Sequence, residues 1–217
     1  MSRPVILGAA GLALLLGVVS WRSSVSSSAE HPFEPSTKLP QAAPLCPWRE
    51  PASDLKRFFP NATRYEPETR ILSGQRLELG ARLGRIPTGD ENALHLCRSY
   101  EDQSPLGVIL TRRVKGAYGA IELVLAVGTN GQVRGVRLQR LREPEPIAAA
   151  LQSPDWLRSF DGQRGDSSWQ LGRDIPNVLP EASASAEAIM DGVRSLLILL
   201  ATSDGSHPEN ATAARHH

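Results

Sequence analysis

The chain has 217 residues, 41% hydrophobic and 22% charged, and its formal charge of +1 suits one medium-sized globular domain with appendages. So even a balance gives no electrostatic reason to expect nucleic acid, which needs clustered positive charge on one face. Only Lys38, Lys56 and Lys115 are lysines, none beside a recognisable catalytic group, and two cysteines with five histidines make neither an ordinary zinc framework nor a haem-attachment motif.

Residues Pro4 to Trp21 form an almost uninterrupted apolar run about as long as a bilayer-spanning helix, followed by Arg22 and a serine-rich stretch. Two readings stay open: an uncleaved membrane anchor, or a signal peptide cleaved near Ser27-Ser28-Ala29. Either one places the rest of the chain outside the cytoplasm, on the periplasmic side. That address makes a Cys46–Cys97 disulfide plausible, with two unpaired thiols as the alternative. Residues 23–52 read as a Pro/Ser-rich linker or surface strap, because Pro32, Pro35, Pro40, Pro44, Pro47 and Pro51 each fix a backbone dihedral and remove a donor.

The folded part is expected over 53–201. D-L-K-R-F-F-P predicts one or two helical turns stopped by Pro60, and I-L-S-G-Q-R-L-E-L-G, from Ile71 to Gly80, alternates like a short strand. Gly119 to Val127 and Gln132 to Leu141 read as two strands, with Gly128-Thr129-Asn130-Gly131 as the turn, since Asn and Gly tolerate the positive φ of a tight hairpin. Ile147 to Leu151 has helical composition. Ser153-Pro154 predicts an N-cap and first helical position ahead of Trp156, Leu157 and Phe160 on one face. Trp169 to Leu171 reads as a short strand. Ile189, Val193, Leu196, Leu197 and Leu200 recur at helical spacing, which predicts an amphipathic helix from Ser183 or Ser185 onward. The tail 202–217 is polar and aperiodic, a disordered pattern. Strands interspersed with helices, without regular βαβ alternation, give an α+β domain: an antiparallel sheet with a central N-G hairpin packed against a few helices.

Four stretches in this order resemble the FMN-binding domain family, over roughly Gly116 to Leu200. Tyr118-Gly119-Ala120-Ile121 is similar to a Y-G-G-x-I start, Glu143-Pro144-Glu145-Pro146 to an E-T-P-G stretch, and Trp156 with Phe160-Asp161-Gly162 to a tryptophan and phenylalanine ahead of glycine. Pro180 to Ile189 occupies the place of S-G-A-T-x-S-S-x-A-V. Phe58-Phe59-Pro60-Asn61-Ala62 is a weaker upstream echo. The resemblance implies FMN as cofactor, with Tyr118, Glu143, Trp156, Phe160, Ala182, Ser183 and Ser185 at its site. Ser183 aligns with the threonine that a flavin transferase esterifies with the FMN phosphate. It further implies electron transfer for a membrane or periplasmic redox complex, a carrier more than a self-sufficient enzyme.

A hydroxyl at the amino end of a helix lies among free N–H groups and the positive end of the dipole, which suits a phosphate. Glu181 departs from the family by replacing a glycine and adding a carboxylate there. The residue-level readings therefore stay open: Ser183 and Ser185 as plain N-caps, Trp156 and Phe160 as core aromatics, Tyr118 as a strand residue, Glu143 as a solvated loop. A flavin-free structural or interaction module of the same fold is the alternative function. Thiol redox through Cys46 and Cys97 is a third reading, without a C-x-x-C context to support it.

Overall fold

The computed structural model describes residues 46–205. The apolar run at 4–21, the linker up to residue 45 and the tail from 206 lie outside the described residues. Among those described, no helix is long and apolar enough to cross a membrane.

Five strands form one antiparallel sheet in chain order: β1 (Arg64–Ile71), β2 (Ala93–Glu101), β3 (Ser104–Lys115), β4 (Ala120–Gly128) and β5 (Val133–Leu141). Five helices accompany them: α1 (Pro51–Phe58), α2 (Arg76–Leu83), α3 (Glu145–Leu151), α4 (Pro154–Arg158) and the 23-residue α5 (Ser183–Gly205). This is the expected α+β antiparallel class. The N-G hairpin is not central, however. It joins β4 to β5, so it forms one end of the sheet, with β5 as the edge strand and β3 in the middle.

The main core lies on one face of the sheet. Leu94, Leu96, Val108, Leu110, Leu123, Leu125, Val136 and Leu138 from the strands join Ile189, Val193, Leu196, Leu197 and Leu200 of α5, the stripe expected from their spacing. A smaller core lies on the other face, where Leu55, Phe58 and Phe59 at α1 cover Ile109, Val124 and Ala126. Because both faces of β4 are covered, seven consecutive residues, Ile121 to Val127, are buried. That is why its sequence reads as an apolar run rather than an alternation. The one interruption, Glu122, is 1% exposed and is paired with Arg113 at 2.9 Å and Arg49 at 3.4 Å.

Residues 46–50 form a strap laid on this second face. The Thr111 hydroxyl donates to the Cys46 carbonyl at 3.0 Å, and Gln139 Nε2 donates to the Pro47 carbonyl at 3.0 Å. Trp48 Nε1 donates to the buried Asp54 carboxylate at 2.6 Å, which also accepts two bonds from Arg137, at 2.5 and 2.7 Å. The strap is thus tied down by side chains and buried charge rather than by strand pairing.

Several further expectations are corrected. The Ile71–Gly80 stretch ends β1 at Ile71 and then enters a 3-10 turn (Ser73–Gln75) and α2, because Leu79 and Leu83, four apart, are the buried positions. Leu77, which made the pattern look alternating, is 94% exposed. Trp169 to Leu171 is not a strand: Leu171 makes only an isolated bridge to Ile175, and Trp169 donates to the Arg164 carbonyl. The helical stretch also runs past 201, since Thr202 and Ser203 are buried residues of α5. Cys46 and Cys97 are free thiols in this structure, so the disulfide expected from the compartment is not formed. Ser153 precedes α4 at the N-cap position without a side-chain cap bond, and Pro154 opens the helix as expected.

Candidate functional site

Leu179 precedes a 3-10 turn, Pro180–Ala182, that runs directly into α5. This turn uses backbone donors that an abrupt helix start would leave free: Ala182 N–H bonds the Leu179 carbonyl, and Ser183 N–H bonds that of Pro180. Ser183 is therefore the first residue of α5 but not its N-cap. Ala182 is fully buried, Ser183 half-buried and Glu181 exposed.

The turn between β3 and β4, residues 116–119, is held against this helix start. Gly116 N–H bonds the Gly119 carbonyl at 2.8 Å. The Ser185 hydroxyl, fully buried, accepts from Ala117 N–H at 2.8 Å and donates to Glu143 Oε1 at 2.9 Å. Tyr118 N–H also approaches Glu143 Oε1, at 3.4 Å. Three segments far apart in sequence, the 116–119 turn, the Glu143 stretch and the start of α5, thus meet in one polar cluster. Gly116 is required there, because a Cβ at this position would collide with the Glu143 carboxylate and lie 2.7 Å from Ile121 Cδ1.

Two groups in this cluster have unused bonding capacity. Glu143 Oε2 is buried without a hydrogen-bond partner, a costly arrangement for a carboxylate oxygen unless a donor completes it. The Ser183 hydroxyl makes no hydrogen bond among the described residues. The Tyr118 side chain is 62% exposed, on the turn itself.

The remaining two candidates are elsewhere. Trp156 and Phe160 are 5% and 0% exposed and belong to the main core, where their rings meet edge to face at 5.2 Å. Trp156 Nε1 donates to the Pro176 carbonyl at 3.0 Å. Neither ring presents surface to a ligand, which is the arrangement of core aromatics. Of the seven residues proposed from sequence, the structure therefore brings together Tyr118, Glu143, Ala182, Ser183 and Ser185, and keeps Trp156 and Phe160 in the core. Sequence reasoning missed the Ala117 backbone and Gly116; the G-A-Y-G run ahead of β4 was the available signal.

A second polar centre is structural. Glu91, 0% exposed, takes two bonds from Arg85 (2.8 and 2.9 Å), one from Arg112 (2.8 Å) and one from Thr88 N–H (2.7 Å). Burial alone would raise its carboxyl, but these donors outweigh it and hold the group down at about 2. Arg85 also bonds the Ser195 hydroxyl at 3.1 Å, which pins α5 to the rest of the domain. Among the described residues no group of three or more His, Cys, Asp or Glu could hold a metal ion.

No protein-family model matches this sequence, and no curated protein matches it. Two solved structures are similar to it. NqrC of Shewanella oneidensis is 13% identical, with a TM-score of 0.47 over 71% of this chain and 88% of that one. The NqrC-type subunit of the Na(+)-translocating NADH-quinone reductase of Parabacteroides distasonis is 13% identical, with a TM-score of 0.46 over 69% of this chain and 83% of that one. Likenesses this distant leave the function to be argued from the residues themselves.

Proposed function

We propose that this chain is an FMN-binding electron-transfer module, held on the extracytoplasmic side of a membrane by residues 4–21, with Ser183 as the hydroxyl that takes the flavin phosphate. The supporting observation is the cluster at the start of α5. Four of its members, Tyr118, Glu143, Ser183 and Ser185, are residues the family resemblance assigns to the cofactor. Between the two serines the geometry discriminates. Ser185 is engaged by Ala117 and Glu143, whereas Ser183 is half-buried and uncommitted.

The orphaned Glu143 oxygen fits the same group, since FMN carries ribityl hydroxyls and a ring N–H that donate hydrogen bonds. Bound there, FMN would supply the redox chemistry. The chain's own residues would fix its position and exposure, with Ser185 and Glu143 locking the 116–119 turn and Tyr118 offering an exposed ring. Partners of such a module, by the resemblance, are a flavin transferase and a membrane redox complex.

A flavin-free interaction module is the second reading, favoured by Glu181: its exposed carboxylate lies two residues before Ser183, where a phosphate would be repelled. Coexpression of the full chain with a flavin transferase separates the two. The electron-transfer reading expects yellow protein whose flavin fluorescence survives denaturing electrophoresis and disappears in Ser183→Ala. Colour lost on denaturation would keep the flavin and remove the covalent link. Protein colourless under all conditions would establish the flavin-free module.

A further inference from the structure

Cys46 and Cys97 are the chain's two cysteines, and both open onto the same cavity. It measures about 190 Å³ and lies on the strap face of the sheet, with Trp48, Tyr65, Pro67 and Ile109 among its walls. Its mouth is formed by exposed residues, Pro51, Tyr65 and Pro67, and its floor by the two buried thiols, 5% and 6% exposed. A path therefore leads from solvent to both sulfurs.

The register of the sheet places the pair near each other. Cys97 on β2 is the cross-strand partner of Ile109 on β3. Cys46 on the strap is bonded through its carbonyl to Thr111, two residues further along β3 on the same face. One strand spacing and one pleat repeat, roughly 5 Å and 7 Å, thus separate Cys97 from the point over which Cys46 is held. A disulfide needs Cα atoms within about 7 Å, so the strap must move a short way, and the space it must cross is the cavity. The strap can make that movement, because Cys46 is held by two side-chain bonds, from Thr111 to its carbonyl and from Gln139 to its sulfur, and by no strand pairing.

We propose that Cys46 and Cys97 form a redox-lockable clasp, in which a disulfide fastens the strap to β2 across the cavity. The reaction is exchange with a disulfide-bearing oxidant, a thiol–disulfide oxidoreductase or oxidised glutathione. One cysteine thiolate attacks the oxidant's disulfide to give a mixed disulfide and a first thiol. The second cysteine then displaces the remaining sulfur. The chain loses two protons and two electrons, and the oxidant's disulfide becomes two thiols. Burial pushes the Cys97 thiol up to about 11 and raises that of Cys46, so both groups stay protonated near neutral pH until such an oxidant reaches them. This inference concerns the strap alone and does not rest on the flavin reading.

The test treats the full-length chain with oxidised glutathione, denatures it, alkylates it and measures intact mass, alongside Cys46→Ser and Cys97→Ser. The clasp predicts a monomer lighter by two hydrogens that takes up no alkylating agent, a melting temperature above that of the reduced chain, and slower amide exchange over residues 46–50. Either serine variant should instead carry one glutathione or one alkyl group, with its melting temperature unmoved by oxidant. Two alkylated thiols after treatment, persistent mixed disulfides in the unsubstituted chain, or disulfide-linked dimers as the main product would overturn it.

Discussion

Ser185 Oγ lies 2.9 Å from Glu143 Oε1 while accepting from Ala117 N–H at 2.8 Å, so one buried hydroxyl joins the start of α5 to both the 116–119 turn and the stretch after β5. This makes Ser185 the fastening of the cluster and leaves Ser183, two positions earlier, free for chemistry.

Ser185→Ala removes both bonds at once and leaves the Ala117 N–H and the Glu143 carboxylate without that partner. The expected loss is about 1–3 kcal/mol in urea unfolding. Ser183→Ala, which breaks no bond of the described residues, should stay within about 0.5 kcal/mol of the parent. Equal effects of the two substitutions would contradict the division of roles.

Gly116→Ala places a methyl group against the Glu143 carboxylate, Ile121 and Ser185. Overpacking at a closed site costs about 1–3 kcal/mol, and here it should also displace Glu143. Gly131, at φ 75° in the hairpin turn with open space around it, is the comparison: Gly131→Ala bears only the cost of its left-handed backbone, about 1 kcal/mol. Denaturation midpoints of the two variants check the order.

The acid limb of stability should depend on Glu91. Its folded value, about 2, lies below the ordinary 4.5, so the stabilisation is fully present above the ordinary value and is lost as pH falls through that range towards 2. Glu91→Gln should flatten the stability profile between about pH 5 and 2. At neutral pH it should cost about 3 kcal/mol, because Arg85 and Arg112 lose their shared carboxylate. An unchanged acid slope in this variant would show that the buried carboxylate does not govern it.

On the strap face, Asp54 is 1% exposed and carries Arg137 and Trp48. Asp54→Ala should cost about 3–5 kcal/mol by leaving the guanidinium without its counter-charge. It should also speed amide exchange across residues 46–50. A strap as protected as before would mean that other contacts hold it.

What the sequence made legible was whatever is written in local periodicity. The α5 stripe, the β4–β5 hairpin and the Pro154 helix start all follow from spacing and turn chemistry, and all are present. Ile71–Gly80 misled because Leu77 and Leu79 imitate a strand, and only tertiary burial of Leu79 with Leu83 decides for a helix. The placement of the hairpin at the sheet end is a property of pairing order, which local pattern does not carry. In the site, Glu143 and Ser185 were both marked by resemblance, but their bond spans 42 positions and required the fold. Trp156 and Phe160 show the reverse. A helical aromatic pair reads the same whether it stacks on a ligand or fills a core, and burial here puts it in the core.

The most direct test of the flavin reading is the intact mass of the full-length chain, denatured after coexpression with a flavin transferase, followed by peptide mapping. The account predicts a single adduct of one flavin mononucleotidyl group carried by the peptide that contains Ser183. An unmodified chain whose released small molecules contain no flavin would contradict it.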